Sequence, residues 1–157
     1  MIDLKRCLIL MADDDPDDRL LVKDALNECE AEARVADQLR FVDDGEQLMD
    51  YLLRRGEFSD HARSPRPDLI LLDLNMPRKD GREALREIRA DPGLRCVPVV
   101  VFTTSRAESD IKLIYDLGAN SFVTKPVSFD SLVKTLSILA RYWLGIVELP
   151  SLAANRT

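Results

Sequence analysis

The chain reads as an α/β protein, a doubly wound five-stranded parallel sheet with helices on both faces. Three observations carry this. Short β-rich runs alternate with helical patterns five times in about 145 residues. The third and fourth runs, DLILLD (68–73) and VPVVVFT (97–103), are solidly apolar, as strands covered on both faces are. The links are short, which fits strands joined by crossover helices.

The elements follow in order. CLILMA (7–12) is the first strand, and Asp15 and Pro16 then suit the N-cap and first position of a helix reaching about Glu30, with Asp17 and Asp18 in its first turn, where the helix dipole favours negative charge. A second strand is expected over 35–42, and Asp44 with Gln47 makes a capping box for a helix over 45–54. RRGEFSDHARSPRP is a polar loop before the third strand. Asp80-Gly81 opens a helix over 81–91. After the fourth strand, Ser105 and Glu108 have capping-box spacing for a helix over 106–117 that Gly118 ends. SFVT (121–124) is the fifth strand, and 128–145 is one long final helix.

At 157 residues the chain fits one domain large enough for a real core. Its net charge of -6 disfavours nonspecific binding to nucleic acid or an anionic membrane surface, since the phosphate attraction has the wrong sign. Cys7, Cys29 and Cys96 are odd in number and widely spaced, without a C-x-x-C pair, and read as reduced thiols. The apolar run after Lys5 and Arg6 meets acids too soon for a signal peptide, and no window is long enough to span a bilayer. A cytoplasmic location is expected.

In a doubly wound sheet, ligands bind beyond the carboxyl ends of the strands, where the strand order reverses. The first strand delivers Asp13 and Asp14 there, the third Asp73, the fourth Thr103 and Thr104, and the fifth Lys125. Taken singly, each has an ordinary explanation: Asp caps helices, Thr suits strands and Lys faces water. Together they set three carboxylates, a hydroxyl and an amine on one rim. Three carboxylates in contact ionise cheaply only around a cation, and hard oxygen donors with room for water favour Mg²⁺. A carboxylate beside such a metal can attack phosphorus, while Lys125 and the Thr103 hydroxyl hold phosphoryl oxygens.

The segments ADDDP, LLDLNMPRKDG, PVVVFTTS and FVTKP, in this order over about residues 7 to 145, resemble the signature segments of the receiver domain of two-component response regulators. The resemblance implies a flavodoxin-like (βα)5 fold with strand order 2-1-3-4-5, an order already known for a chemotaxis receiver. It implies Asp73 as phosphoacceptor, and Asp13, Asp14, Asp73 and the Asn75 backbone carbonyl as Mg²⁺ ligands. Lys125 is then the phosphoryl partner, with a cis bond to Pro126, and Thr103 and Phe122 are the switch pair. The Asn75 and Ser105 side chains fall at positions that tune dephosphorylation. NMP and Gly81 shape the loop after the acceptor, and Thr104 is bulkier than the small residue usual there, which narrows access to Asp73.

The sole histidine, His61, lies in the polar loop, so the phosphoryl donor is expected to be another protein, a sensor histidine kinase. Residues 1–149 are expected to form a single receiver domain, with 150–157 a short tail and no output domain. On the last helix Phe129, Leu132, Val133, Leu136, Leu139, Ala140 and Trp143 make the core stripe. Ile138, Tyr142 and Ile146 lie off it and suggest a homodimer contact. The long loop, the TTS and the RYWL tail are also similar to stand-alone regulators of cyanobacterial and bacterial phytochromes, which implies a phytochrome kinase as donor.

Two rivals share the architecture. A haloacid-dehalogenase-type phosphatase would use the D-x-D of Asp13 to Asp15, but Asp17 stands where that family wants Thr or Val, and where it wants a further acidic pair after the lysine only Asp130 appears, at the start of the final helix. A docking module independent of phosphorylation would not need all the active positions the chain retains.

Overall fold

The computed structural model describes residues 8–29 and 39–150. Its strands are β1 (Ile9–Ala12), β2 (Leu39–Val42), β3 (Leu69–Leu72), β4 (Val99–Thr103) and β5 (Ser121–Thr124). The helices are α1 (Pro16–Glu28), α2 (Gly45–Leu53), α3 (Gly81–Ala90), α4 (Glu108–Asp116) and α5 (Phe129–Ala140), with a short 3-10 turn at Gly56–Phe58. All strand pairs are parallel, in the order β2-β1-β3-β4-β5. This is the predicted doubly wound fold.

The pleat sorts the strand residues between two cores. Leu10, Ala12, Ile70, Leu72, Val99 and Val101 face α2 and α3, where Leu48, Leu52, Leu85 and Ile88 meet them. Ile9, Met11, Leu69, Leu71, Val100 and Phe102 face α1 and α5, against Val22, Leu26, Leu132 and Leu136. Because β1, β3 and β4 are lined on both faces, their sequences are continuously apolar rather than alternating. Truncating one such leucine to alanine costs about 2–5 kcal/mol.

Several boundaries differ from the sequence reading for identifiable reasons. α1 stops at Glu28 with Cys29 as C-cap, and 30–38, including the first part of the expected second strand, lie outside the described residues, as does Cys7. Asp15 is the N-cap as expected, its carboxylate accepting from Asp17 N at 2.9 Å. Asp44 caps α2 by accepting from Gln47 N at 2.8 Å, but the Gln47 side chain reaches back one residue further than a capping box, to Asp43 N. α4 begins only at Glu108, with no side-chain cap, because the Ser105 hydroxyl is committed elsewhere. The final helix is not one α-helix. After Ala140 it widens into a π-helical stretch, Arg141–Ile146, closed by Val147 N donating to Tyr142 O at 2.9 Å. Widening turns each residue through a smaller angle, which lets consecutive Trp143 and Leu144 both reach the core.

The loop between α2 and β3 is anchored rather than loose. Tyr51 Oη donates to Pro65 O at 2.7 Å, and the buried Ser64 hydroxyl, within reach of two carbonyls, donates to Phe58 O at 2.7 Å. No helix among the described residues is long and apolar enough to cross a membrane.

Candidate acidic site at the strand ends

The parallel ladder itself sets the first two carboxylates side by side. Strand order reverses between β1 and β3, and each ladder runs one residue past its strand. Asp13 N donates to Val42 O at 3.1 Å, and Asp73 N to Ala12 O at 3.0 Å. One Asp therefore follows each of two adjacent strands. Lys125 arrives the same way, its N donating to Thr103 O at 2.8 Å at the end of β5.

The Lys125 ammonium is the hub. It donates to Asp13 Oδ2 at 2.6 Å, to Asp18 Oδ2 at 2.9 Å and to Asp73 Oδ2 at 3.2 Å. Burial alone would lower its pKa, but the hydrogen bonds it donates to Asp13 and Asp18 and the charge of Asp73 outweigh that and hold it protonated well above the ordinary lysine range. Asp13 is fully buried, and that burial pushes its carboxyl above the usual value despite the lysine.

The two buried acids are not equivalent. Asp13 is enclosed, with Oδ1 accepting from Asp15 N at 2.9 Å and Oδ2 held by Lys125. Asp73 keeps 8% of its surface open, and its other bond is a long one from Asn75 N at 3.4 Å. Of the two, Asp73 is the more loosely held carboxylate and the one with an opening to solvent. Asp14 is exposed, and oxygens of Asp13, Asp14 and Asp73 lie within 4.8 Å of one another. That donor set, anionic, oxygen-only and open on one side, fits a hard divalent cation.

Thr103 is fully buried at the end of β4, its Oγ1 3.5 Å from Ser105 N. Phe122 is partly buried against the α2–α3 core, and its N–H donates to the Tyr115 hydroxyl on α4 at 3.1 Å. Asn75 and Thr104 are exposed beside the site. His61 is remote from this chemistry, bonded through Nδ1 to the Arg54 guanidinium at 3.0 Å in the α2–β3 loop.

Three expectations are corrected. The Lys125–Pro126 bond is trans, since no peptide bond among the described residues is cis. Trans is the intrinsically favoured X–Pro isomer by about 0.5–1 kcal/mol. The ladder bond and the three carboxylates orient the lysine without an isomer change. Ser105 does not cap α4: its hydroxyl donates to Asp110 Oδ2 at 2.6 Å, and Asp110 is held in turn by Arg82 Nη2 at 2.8 Å. Asp18, read as a helix-dipole residue, touches the lysine. Its sequence signal was position: Cα–Cβ bonds tilt toward a helix N-terminus, so an acid in the first turn of α1 leans toward the strand ends.

The loop after Asp73 is braced at Arg78 and Lys79, to which the motifs assigned no role, and at Gly81, which was expected to shape it. Arg78, in the left-handed region at φ 65°, donates through Nε to buried Asp44 at 2.7 Å. Gly45 N donates to Lys79 O at 2.9 Å. Gly81 lies so close that a Cβ there would stand 2.2 Å from the Asp73 carbonyl oxygen.

Comparison with known proteins places these features in a wider set. The family model for the response regulator receiver domain matches residues 9–137. Response regulator Rcp1 of Synechocystis sp. is 40% identical over 144 residues, covering 92% of this chain and 93% of that protein. The crystal structure of the phosphorylated cyanobacterial phytochrome response regulator RcpA superposes with a TM-score of 0.82 at 40% identity, over 92% of this chain and 99% of that one. The Mn²⁺-bound form of Rcp1 gives 0.80 at 38% identity, with the same coverage.

Proposed function

Because the chain belongs to the response regulator receiver domain family, we propose that it takes a phosphoryl group from a sensor histidine kinase onto Asp73. The observation that carries this is the asymmetry of the two buried acids: Asp13 is fully enclosed and held by short bonds on both oxygens, whereas Asp73 keeps 8% of its surface open and is held only by longer bonds of 3.2 and 3.4 Å. In the transfer an Asp73 oxygen attacks phosphorus and the bond from phosphorus to the donor breaks, leaving an acyl phosphate on Asp73.

Asp13, Asp14 and Asp73, with the Asn75 carbonyl, would hold Mg²⁺. When bound, such a cation would offset carboxylate charge and draw phosphoryl oxygens to the site. Lys125, already charged and within 3.2 Å of Asp73, pairs with the phosphoryl group as it arrives. The Thr103 hydroxyl takes another phosphoryl oxygen, and Phe122 follows it inward. Asn75 and Ser105 set the lifetime of the acyl phosphate. The chain acts as a phosphoacceptor that takes part in its own phosphorylation and dephosphorylation rather than as a turnover enzyme. An enclosed Asp13 argues against the D-x-D phosphatase reading, which would make it the nucleophile.

Similarity to a cyanobacterial phytochrome response regulator supports a phytochrome-type kinase as the donor, with the reaction in the cytoplasm. The output is assigned to a homodimer. Ile138, Tyr142 and Ile146 are 67%, 51% and 64% exposed at intervals of four residues, a self-complementary stripe of the kind a two-fold contact uses. Val147 and Leu149 instead pack onto the α1–α5 core.

Incubation with Mg²⁺ and acetyl phosphate or beryllofluoride, with Asp73→Asn as control, tests the assignment. An adduct on the wild type alone is expected, and an equal adduct on the variant would refute it. Size-exclusion chromatography of wild type and Ile138→Glu, with and without beryllofluoride, reads the dimer.

A further inference from the structure

The third acid on the Lys125 ammonium has no place in the receiver motifs. Lys125 has three N–H donors and three carboxylate acceptors, and two of these, Asp13 and Asp73, are also candidate cation ligands. Asp18 alone among the three lies outside the cation cluster. It comes from the first turn of α1, whereas Asp13 and Asp73 follow β1 and β3. When a divalent cation takes Asp13 and Asp73, the lysine shares both partners with a like charge, while its side chain is only 10% exposed and has little water to turn to. An ammonium so placed needs a counter-charge of its own.

We propose that Asp18 is the positioning residue for Lys125: it supplies that dedicated counter-charge, holds the ammonium on the α1 side, and so lets a divalent cation occupy the Asp13–Asp73 pair without expelling the lysine. The inference deepens the phosphoacceptor reading and rests on it for its purpose, but cation binding can be measured without any phosphoryl transfer.

Two effects of Asp18→Asn act in the same direction. The site loses one negative charge close to the cation, and the lysine, deprived of its own partner, competes harder for Asp13 and Asp73. The neighbouring Asp17 separates these effects from general electrostatics. It carries the same charge in the same turn, is exposed, and contributes only its backbone N–H to the Asp15 cap.

Mg²⁺ affinity of the unphosphorylated full chain, by isothermal titration calorimetry, gives the test. Asp18→Asn is expected to raise Kd roughly tenfold, Asp17→Asn less than about twofold, and Asp18→Glu to recover part of the loss. In a Lys125→Met background the Asp18→Asn loss should shrink to less than about threefold, because there is no ammonium left to hold. Equal losses in Asp17→Asn and Asp18→Asn would reduce Asp18 to a distant charge and overturn the proposal. So would an undiminished loss without Lys125. If the lysine variant does not fold, the Asp17/Asp18 comparison still decides. A chain that fails to accept phosphoryl on Asp73 but shows this pattern would sink the acceptor assignment and leave the positioning role standing.

Discussion

Arg82, in the first turn of α3, holds Asp110 of α4 through a 2.8 Å hydrogen bond, and the other oxygen of Asp110 takes the Ser105 hydroxyl at 2.6 Å. The two residues bridge the helix that follows Asp73 and the loop that follows Thr103. The Ser105 hydrogen bond first, and then Arg82, hold the Asp110 carboxyl below the ordinary aspartate value. A depressed folded value means that the stabilisation is present above the unfolded value near 3.8 and is lost as pH falls through the folded one. In Ser105→Ala the Asp110 midpoint, followed by carboxyl NMR shifts, should therefore rise toward the ordinary value. Because the bridge is near the surface, global stability at neutral pH should change by less than about 1 kcal/mol. An unmoved midpoint would mean that the hydroxyl does not engage Asp110 in solution.

Gly81 is required by proximity rather than by backbone angle. A Cβ would meet the Asp73 carbonyl oxygen at 2.2 Å and the Leu74 Cα at 2.9 Å, both backbone atoms that cannot swing aside. Gly81→Ala should cost about 1–3 kcal/mol by urea denaturation, as overpacking does. If Asp73 is the acceptor proposed above, it should also lower the yield of beryllofluoride adduct, since relief requires moving the Asp73 peptide.

β5 is an edge strand, and its Phe122 N–H is covered by the Tyr115 hydroxyl at 3.1 Å rather than by another strand. Tyr115→Phe removes that acceptor and leaves α4 tied to β5 by packing alone. A loss of about 0.5–1.5 kcal/mol is expected. Amide exchange should quicken at Phe122 while Val100 and Val101, inside the sheet, stay protected.

Much of this was legible from residue order, because the signals were local. Continuous apolar runs gave the buried strands, and acids or amines directly after them gave the rim, since a strand's end fixes where the next side chain lies. Asp13, Asp73 and Lys125, which the structure brings into contact, were placed that way. What escaped depends on side chains meeting across elements. Ser105 has capping-box spacing to Glu108, yet a carboxylate five residues on competed for its hydroxyl and won. Asp18 looked like a dipole acid because its partner is 107 residues away. The π-helical turn after Ala140 answers to the packing of Trp143 and Leu144, which helical periodicity alone does not encode.

The cost of holding the acidic site together should be measurable at Asp13. Its carboxylate is buried, and burial raises its pKa even with Lys125 bonded to it, so in the absence of a cation the ionised form opposes folding. For a raised carboxyl the sign is the reverse of the Asp110 case: stability falls as pH rises from the unfolded value near 3.8 through the folded one. Asp13→Asn removes that charge, keeps an oxygen for the Asp15 N–H, and leaves Lys125 with Asp18 and Asp73. In metal-free buffer the variant should be more stable than wild type by roughly 1 kcal/mol at neutral pH, within the range seen when functional strain is relieved. Adding Mg²⁺ should raise the melting temperature of the wild type and leave the variant nearly unmoved, because binding to the folded state alone is what stabilises it. A variant less stable than wild type without metal would show instead that the Lys125–Asp13 pair outweighs the burial of its charge.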